Sequence, residues 1–209
     1  DDISPLRQLT AAVMSSEAQL LAPRAAYRFR SVESPRQLYY DPVVGQDPQY
    51  GAAINYWLKA ERKDTLKLEV LDGTGAVVRK LTPTTTAGLN RVWWNLAYES
   101  SKQAKLRNVP RYSTGITVPP DGLNSPDVGT VALLAPPGAY TVRLTVGSRT
   151  FTQPLEVRKD PNAGGSVQEI ADQTALRKEI QADLDSAVSM INSLEGIRAQ
   201  TAALQNSLG

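Results

Sequence analysis

The hydrophobic period of this chain changes once, at Asp160-Pro161 and Gly164-Gly165, from the alternation of a strand to the spacing of a helix. Before that point, across residues 51–159, the signals are strand and turn apart from a long polar segment over 100–130, and in the strand stretches apolar side chains recur at every second position, which sends them to one face of a sheet. Ile54, Tyr56 and Leu58 point inward on one such run, and Leu66, Leu68 and Val70 on the next. Asp72-Gly-Thr-Gly75 reads as a hairpin connection, because glycine supplies the positive φ that tight turns demand. Residues 76–81 are the return strand; Tyr140, Val142, Leu144 and Val146, then Phe151, Leu155 and Val157, complete the pattern. Short strands with turn signals every ~8–12 residues predict an immunoglobulin-like antiparallel β-sandwich over 46–160. Past the glycines, Ser166 with Glu169 forms a capping box, and Ile170, Leu176, Ile180, Leu184, Val188, Ile191 and Leu194 form an apolar stripe. The stripe needs a partner helix or surface, and it weakens near Gly196. The tail, 161–209, is therefore a long amphipathic helix or a helical hairpin with 197–208 turning back. The fold class is mainly β with an α tail.

The first 45 residues do not read as an independent domain. Ser4-Pro5 is a helix-start signal on a short pattern, and Ala26, Arg28 and Arg30 alternate with Tyr27 and Phe29 as an extended arm. Residues 34–50 carry Asp-Pro twice, a loop signature. Residues 1–45 are thus an N-terminal linker or arm.

Within the β region, Gly88-Leu-Asn-Arg-Val-Trp-Trp-Asn-Leu96 concentrates the functional question. Alternation places Val92, Trp94 and Leu96 on one face and Arg91, Trp93 and Asn95 on the other. By the same logic Trp57 lies outward with Asn55 and Lys59. Two outward tryptophans flanked by Asn55, Arg91 and Asn95 suit a glycan platform, in which a ring stacks on a pyranose and polar neighbours hold its hydroxyls. The plainer reading is that Tyr27 and Phe29 of the arm, or the C-terminal helix, cover them, since large apolar patches are rare on soluble domains.

Chemistry elsewhere is sparse. The 209 residues contain no cysteine and no histidine, which removes thiol catalysis, thiolate metal sites and the commonest general base. Asp41, Asp47 and Asp160 precede proline, and Asp72 and Asp121 precede glycine, so turn chemistry explains them better than an acid pair or calcium loop. Arg24, Arg28 and Arg30 are spread along an arm. The net charge of +2 comes from scattered residues and argues against a nucleic-acid footprint, and no run is long enough to span a membrane. No metal site and no cofactor are expected. The opening Asp-Asp-Ile without methionine reads as a piece of something longer, its targeting signals elsewhere.

With these pieces in place the chain resembles the C-terminal region of secreted bacterial β-propeller proteins of the sortilin-like or BNR-repeat type, often labelled glycosyl hydrolases. The resemblance rests on Asp1-Asp-Ile-Ser-Pro-Leu-Arg-Gln-Leu9, Ala22-Pro-Arg-Ala-Ala-Tyr-Arg-Phe-Arg30, Gly51-Ala-Ala-Ile-Asn-Tyr56, Leu68-Glu-Val-Leu-Asp72 with Val78-Arg79, the Trp-Trp strand, and Pro137-Gly-Ala-Tyr-Thr-Val-Arg-Leu144 through Val157-Arg-Lys-Asp-Pro161. It implies that a propeller, with whatever site that family uses, lies upstream, so no catalytic residue is carried onto this chain.

The expected function is a non-catalytic structural or docking domain of such a protein; the alternative is a carbohydrate-binding module using Trp57 and Trp93. Expected partners are the upstream propeller, a second copy through the C-terminal helix, or a glycan. The resemblance implies a secreted, periplasmic or cell-surface location.

Overall fold

The computed structural model describes residues 2–29, 49–63, 65–110, 112–113, 115–124 and 130–208. Asp41, Asp47 and Arg30 lie outside them. The chain divides by contacts into two units, 1–99 with 134–171 and 100–133 with 172–209.

The first unit is built of strands. Two short helices, α1 (Ser4–Gln8) and α2 (Ala11–Ser15), precede β1 (Ala18–Leu20) and β2 (Ala26–Arg28). Then come β3 (Ala52–Leu58), β4 (Leu66–Leu71), β5 (Val77–Leu81) and β6 (Gly88–Trp94). Within the second unit, β7 (Lys105–Leu106) pairs with β8 (Leu123–Asn124). The first unit resumes with β9 (Gly138–Val146) and β10 (Arg149–Lys159). One sheet has the order β1-β3-β6 and the other β2-β10-β9-β4-β5, all antiparallel except the β2–β10 pair. The arm is therefore more than a connector: its two short strands join different sheets. The β-rich class with a long C-terminal helix is met.

Alternation supplies the core. Ile54, Tyr56 and Leu58 from one sheet and Leu68, Val70, Val142 and Leu144 from the other belong to a single buried apolar cluster. Trp94 is fully buried, its indole N–H donating to the Ala97 carbonyl at 2.8 Å and its ring meeting Tyr140 edge-on at 5.3 Å. A buried indole has to place its N–H, and here the turn after β6 provides the acceptor. That turn is tight. Leu96 takes a left-handed φ of 55° and is still buried, and a Cβ on Gly51 would stand 2.1 Å from the Trp94 carbonyl oxygen. Only glycine fits at position 51.

The β4–β5 hairpin closes as its sequence predicts. The Asp72 carboxylate accepts from the Thr74 and Ala76 amides at 2.9 and 3.1 Å, and Gly75 has a φ of 85°.

The tail is a single helix, α3 (Val167–Leu208), of 42 residues. Its capping box forms reciprocally: Glu169 N–H donates to Ser166 Oγ at 3.1 Å and Ser166 N–H to Glu169 Oε2 at 2.6 Å. Of the two expected alternatives the single long helix is the one observed and the hairpin is not, because Gly196 continues the helix. One interior glycine costs a helix only about 1 kcal/mol against alanine, too little to end it.

The second unit is organised differently. Among the described residues its only buried apolar side chains are Leu133 and Val188. It is held instead by polar side chains of α3 that reach the backbone of residues 102–108.

Candidate functional site

The outer face of the three-stranded sheet carries the residues singled out above. In the β3–β6 register Ala53 faces Trp93, Asn55 faces Arg91, and Trp57 faces Leu89 on one side and Gln19 of β1 on the other. Alternation thus puts Trp57, Asn55, Arg91 and Trp93 on the face turned away from Ile54 and Tyr56. The two tryptophans occupy opposite ends of it, four register rows apart, or about 13 Å along the strands. Asn95 is not in this row. It lies past the end of β6, where its side-chain oxygen accepts from the Ala97 N–H at 3.3 Å and shapes the turn.

Between the tryptophans the polar groups are already engaged. Arg91 Nε donates to Asn55 Oδ1 at 2.8 Å, and Asn55 is only 3% exposed. Arg91 Nη2 donates to the Asp2 carbonyl at 3.1 Å, which brings the N-terminal segment to the middle of the face. That segment is fastened. Gln8 and Ala22 exchange two hydrogen bonds, at 2.9 and 2.8 Å, and the Asp2 carboxylate accepts from Ser4 N–H and pairs with Arg24. The bond from Ser4, with Arg24 adding to it, holds the Asp2 carboxyl below its ordinary value.

Trp57 and Trp93 are both half-buried, and the Trp57 indole nitrogen is shut off from solvent with no hydrogen-bond partner among the described residues. Tyr27 and Phe29 keep close to half of their own surface in solvent, and the Phe29 ring meets Tyr50 at 4.6 Å. The face therefore combines two partly covered rings with a central arginine committed to its own chain.

A second polar constellation lies in the second unit, on α3. Asp185 Oδ1 accepts from Lys102 N–H at 2.5 Å, Asn192 Oδ1 from Lys105 N–H at 2.8 Å, and Glu195 Oε2 from Arg107 N–H at 2.9 Å. Asn192 returns a bond to the Gln103 carbonyl at 3.1 Å, and Ser189 Oγ receives Lys102 Nζ at 2.8 Å. The helix thus offers side-chain acceptors to the backbone amides of Lys102, Lys105 and Arg107. Glu195 is the anchor. It is 5% exposed, bonded also to Asn108 Nδ2 and to the Arg198 guanidinium, and these contacts, the Arg107 N–H foremost, hold its carboxyl below the ordinary glutamate value against the opposing effect of burial.

Sequence reasoning missed this ladder and the N-terminal segment at Arg91. A signal for the ladder exists, since Asp185, Ser189, Asn192 and Glu195 recur at three- and four-residue steps and so share a helix face.

Other pre-organised acids are also spent on structure. Glu69 Oε2 receives both Nε and Nη2 of Arg143, its cross-strand neighbour, at 3.0 and 2.8 Å. Asp72 holds a turn and Glu169 a helix cap. Among the described residues no group of three acids is placed to hold a metal ion. No described helix is long and apolar enough to cross a membrane. No family model, curated protein or solved structure matches the chain.

Proposed function

We propose that this chain is a non-catalytic, immunoglobulin-like accessory module whose task is docking or assembly. The observation that carries the reading is how its polar groups are used: Glu69, Asp72, Glu169, Asp185 and Glu195 each bond their own chain, and Arg91 does the same on the face shared by Trp57 and Trp93. A catalytic carboxylate needs hydrogen-bonding capacity left for a substrate.

The strand order supports the immunoglobulin-like part. A first strand that pairs in one sheet and continues into the other, then a β3-β6 pair opposite a β10-β9-β4-β5 run, follows the connectivity of that fold. Tyr140, near the start of β9, donates its hydroxyl to the Pro136 carbonyl at 2.8 Å, the geometry of a tyrosine corner. Attachment to a secreted bacterial β-propeller rests on the sequence resemblance, as does a periplasmic or cell-surface location.

Carbohydrate binding through Trp57 and Trp93 stands as the second reading, favoured by their shared face with Asn55 and Arg91. One pair of assays separates the readings. The module reading expects no turnover of a panel of chromogenic glycosides and esters, and no retention on a glycan array. Turnover that persists through purification would overturn it in favour of an enzyme, and retention abolished by Trp93→Ala would overturn it in favour of a carbohydrate-binding module.

A further inference from the structure

The apolar stripe read from the sequence divides, in the structure, between two faces of α3. Val188 is buried and Leu184 half-buried on the side that carries Asp185, Asn192 and Glu195, whereas Leu176, Ile180, Ile191 and Leu194 are exposed. With position a of a seven-residue repeat placed at Ile180, the a positions are Ile180, Ala187, Leu194, Thr201 and Leu208, and the d positions are Leu176, Asp183, Met190, Ile197 and Leu204. All ten are exposed. A seam sustained at this period is what a supercoiled partner helix requires.

We propose that the occupant of this seam is the same helix of a second copy, running antiparallel about a twofold axis at Asn192. The two polar residues of the seam decide both partner and direction. In antiparallel pairing an a residue packs in a layer with a d residue of the other helix, and centring on position 192 joins Ile180 with Leu204, Ala187 with Ile197, Leu194 with Met190, and Leu208 with Leu176. The remaining layer joins Thr201 with Asp183, so the seam's only polar residues meet each other, and the hydroxyl, which in the single chain donates to the Ile197 carbonyl at 3.0 Å, would turn its proton to the carboxylate. Shifting by one heptad in either direction sets Asp183 against Leu194 or Leu208, and a parallel pair sets Asp183 against Asp183. A buried unpaired carboxylate or a like-charge contact is costly, so both alternatives are selected against.

The flanks agree. Ile191 meets its own copy on one side of the axis and Ser193 on the other, while Glu179 faces Ser207 and Arg177 faces Gln205, so no like charges meet. The backbone ladder from residues 102–108 occupies the opposite side of α3 and leaves the seam clear. The pairing deepens the docking reading by naming the partner, and its test is independent of whether the chain acts on or binds a glycan.

The test uses the 209-residue chain. Sedimentation equilibrium over a dilution series is expected to give twice the 22.7 kDa chain mass, falling to one chain mass for Met190→Glu/Leu194→Glu with helix content unchanged by circular dichroism. Because the chain has no cysteine, direction can be read with single thiols. Asp183→Cys and Thr201→Cys are expected to yield little product alone with a short thiol cross-linker and a covalent dimer when mixed. A monomer at every concentration, a dimer indifferent to the double variant, or self-cross-linking of Asp183→Cys alone would each overturn the proposal. Capture of a different partner by a chain that stays monomeric would do the same.

Discussion

The two units of this chain solve the problem of burial in opposite ways. In the strand unit, side chains of two sheets share one apolar cluster, with Trp94, Tyr56 and Ile54 at no more than 1% exposure. In the helical unit only Leu133 and Val188 are buried apolar residues among those described, and the work is done by Asp185, Asn192 and Glu195 holding the backbone of 102–108. The first arrangement gains from every apolar area removed from water. The second gains only the modest net worth of hydrogen bonds, about 0.5–1.5 kcal/mol each, and leaves its apolar side chains outside. Pairing of α3 with a second copy, as proposed above, would add the apolar burial that the helical unit lacks among its described residues.

The contrast can be broken most severely at Trp94. Trp94→Ala removes the largest buried side chain and is expected to cost ~3–5 kcal/mol in denaturant unfolding of the strand unit. A cost below 1 kcal/mol would mean that the core is not organised around it. In the helical unit, Glu195→Ala strips the Arg107 amide of its acceptor and is expected to cost ~1–3 kcal/mol, read as lost amide protection at residues 105–107 with the strands of the first unit unaffected. Spread of that loss into β9 and β10 would contradict the separation.

Acid sharpens the same comparison. The Glu195 carboxyl is held below its ordinary value in the folded chain, so the native form binds fewer protons than the unfolded one. Its stabilisation is therefore complete at neutral pH and is lost as pH falls from the ordinary glutamate value of about 4.3 through the lower folded one. Residues 102–108 should lose protection in that window in the parent and show a flatter response in Glu195→Gln. The smallest effect is expected at the cap, where Ser166→Ala removes an acceptor from the first turn of α3 for ~1 kcal/mol, measured as fraying of the first turn by hydrogen exchange.

What the sequence disclosed follows from where the interactions lie. Alternation marked β3, β4, β9 and β10 because each turns alternate apolar side chains to the core, and Asp72-Gly-Thr-Gly75 and Ser166 with Glu169 announce local bonds made within a few residues. Trp94 was legible as core because Val92 and Leu96 share its phase. The arm was less legible, since β1 and β2 have three residues each, too few to display a period. The ladder from α3 is addressed to backbone amides, which leave no mark on the side chains of 102–108. The stripe on α3 pooled residues of two faces, because Leu184 and Val188 lie close enough in helical phase to Ile180 and Ile191 to pass as one surface. At the candidate face, the sharing of one side by Trp57, Asn55, Arg91 and Trp93 was legible; the claim of Asp2 on Arg91 spans 89 residues and was not.

The central claim, that the strand unit has its own apolar core whereas α3 pairs with a second copy, is tested most directly by amide hydrogen exchange of the unmodified chain at two concentrations on either side of dimerisation. The account predicts that protection across residues 176–208 of α3 rises with concentration while β3, β6, β9 and β10 stay unchanged. Protection of α3 that is independent of concentration, or a concentration dependence shared equally by the strands, would contradict it.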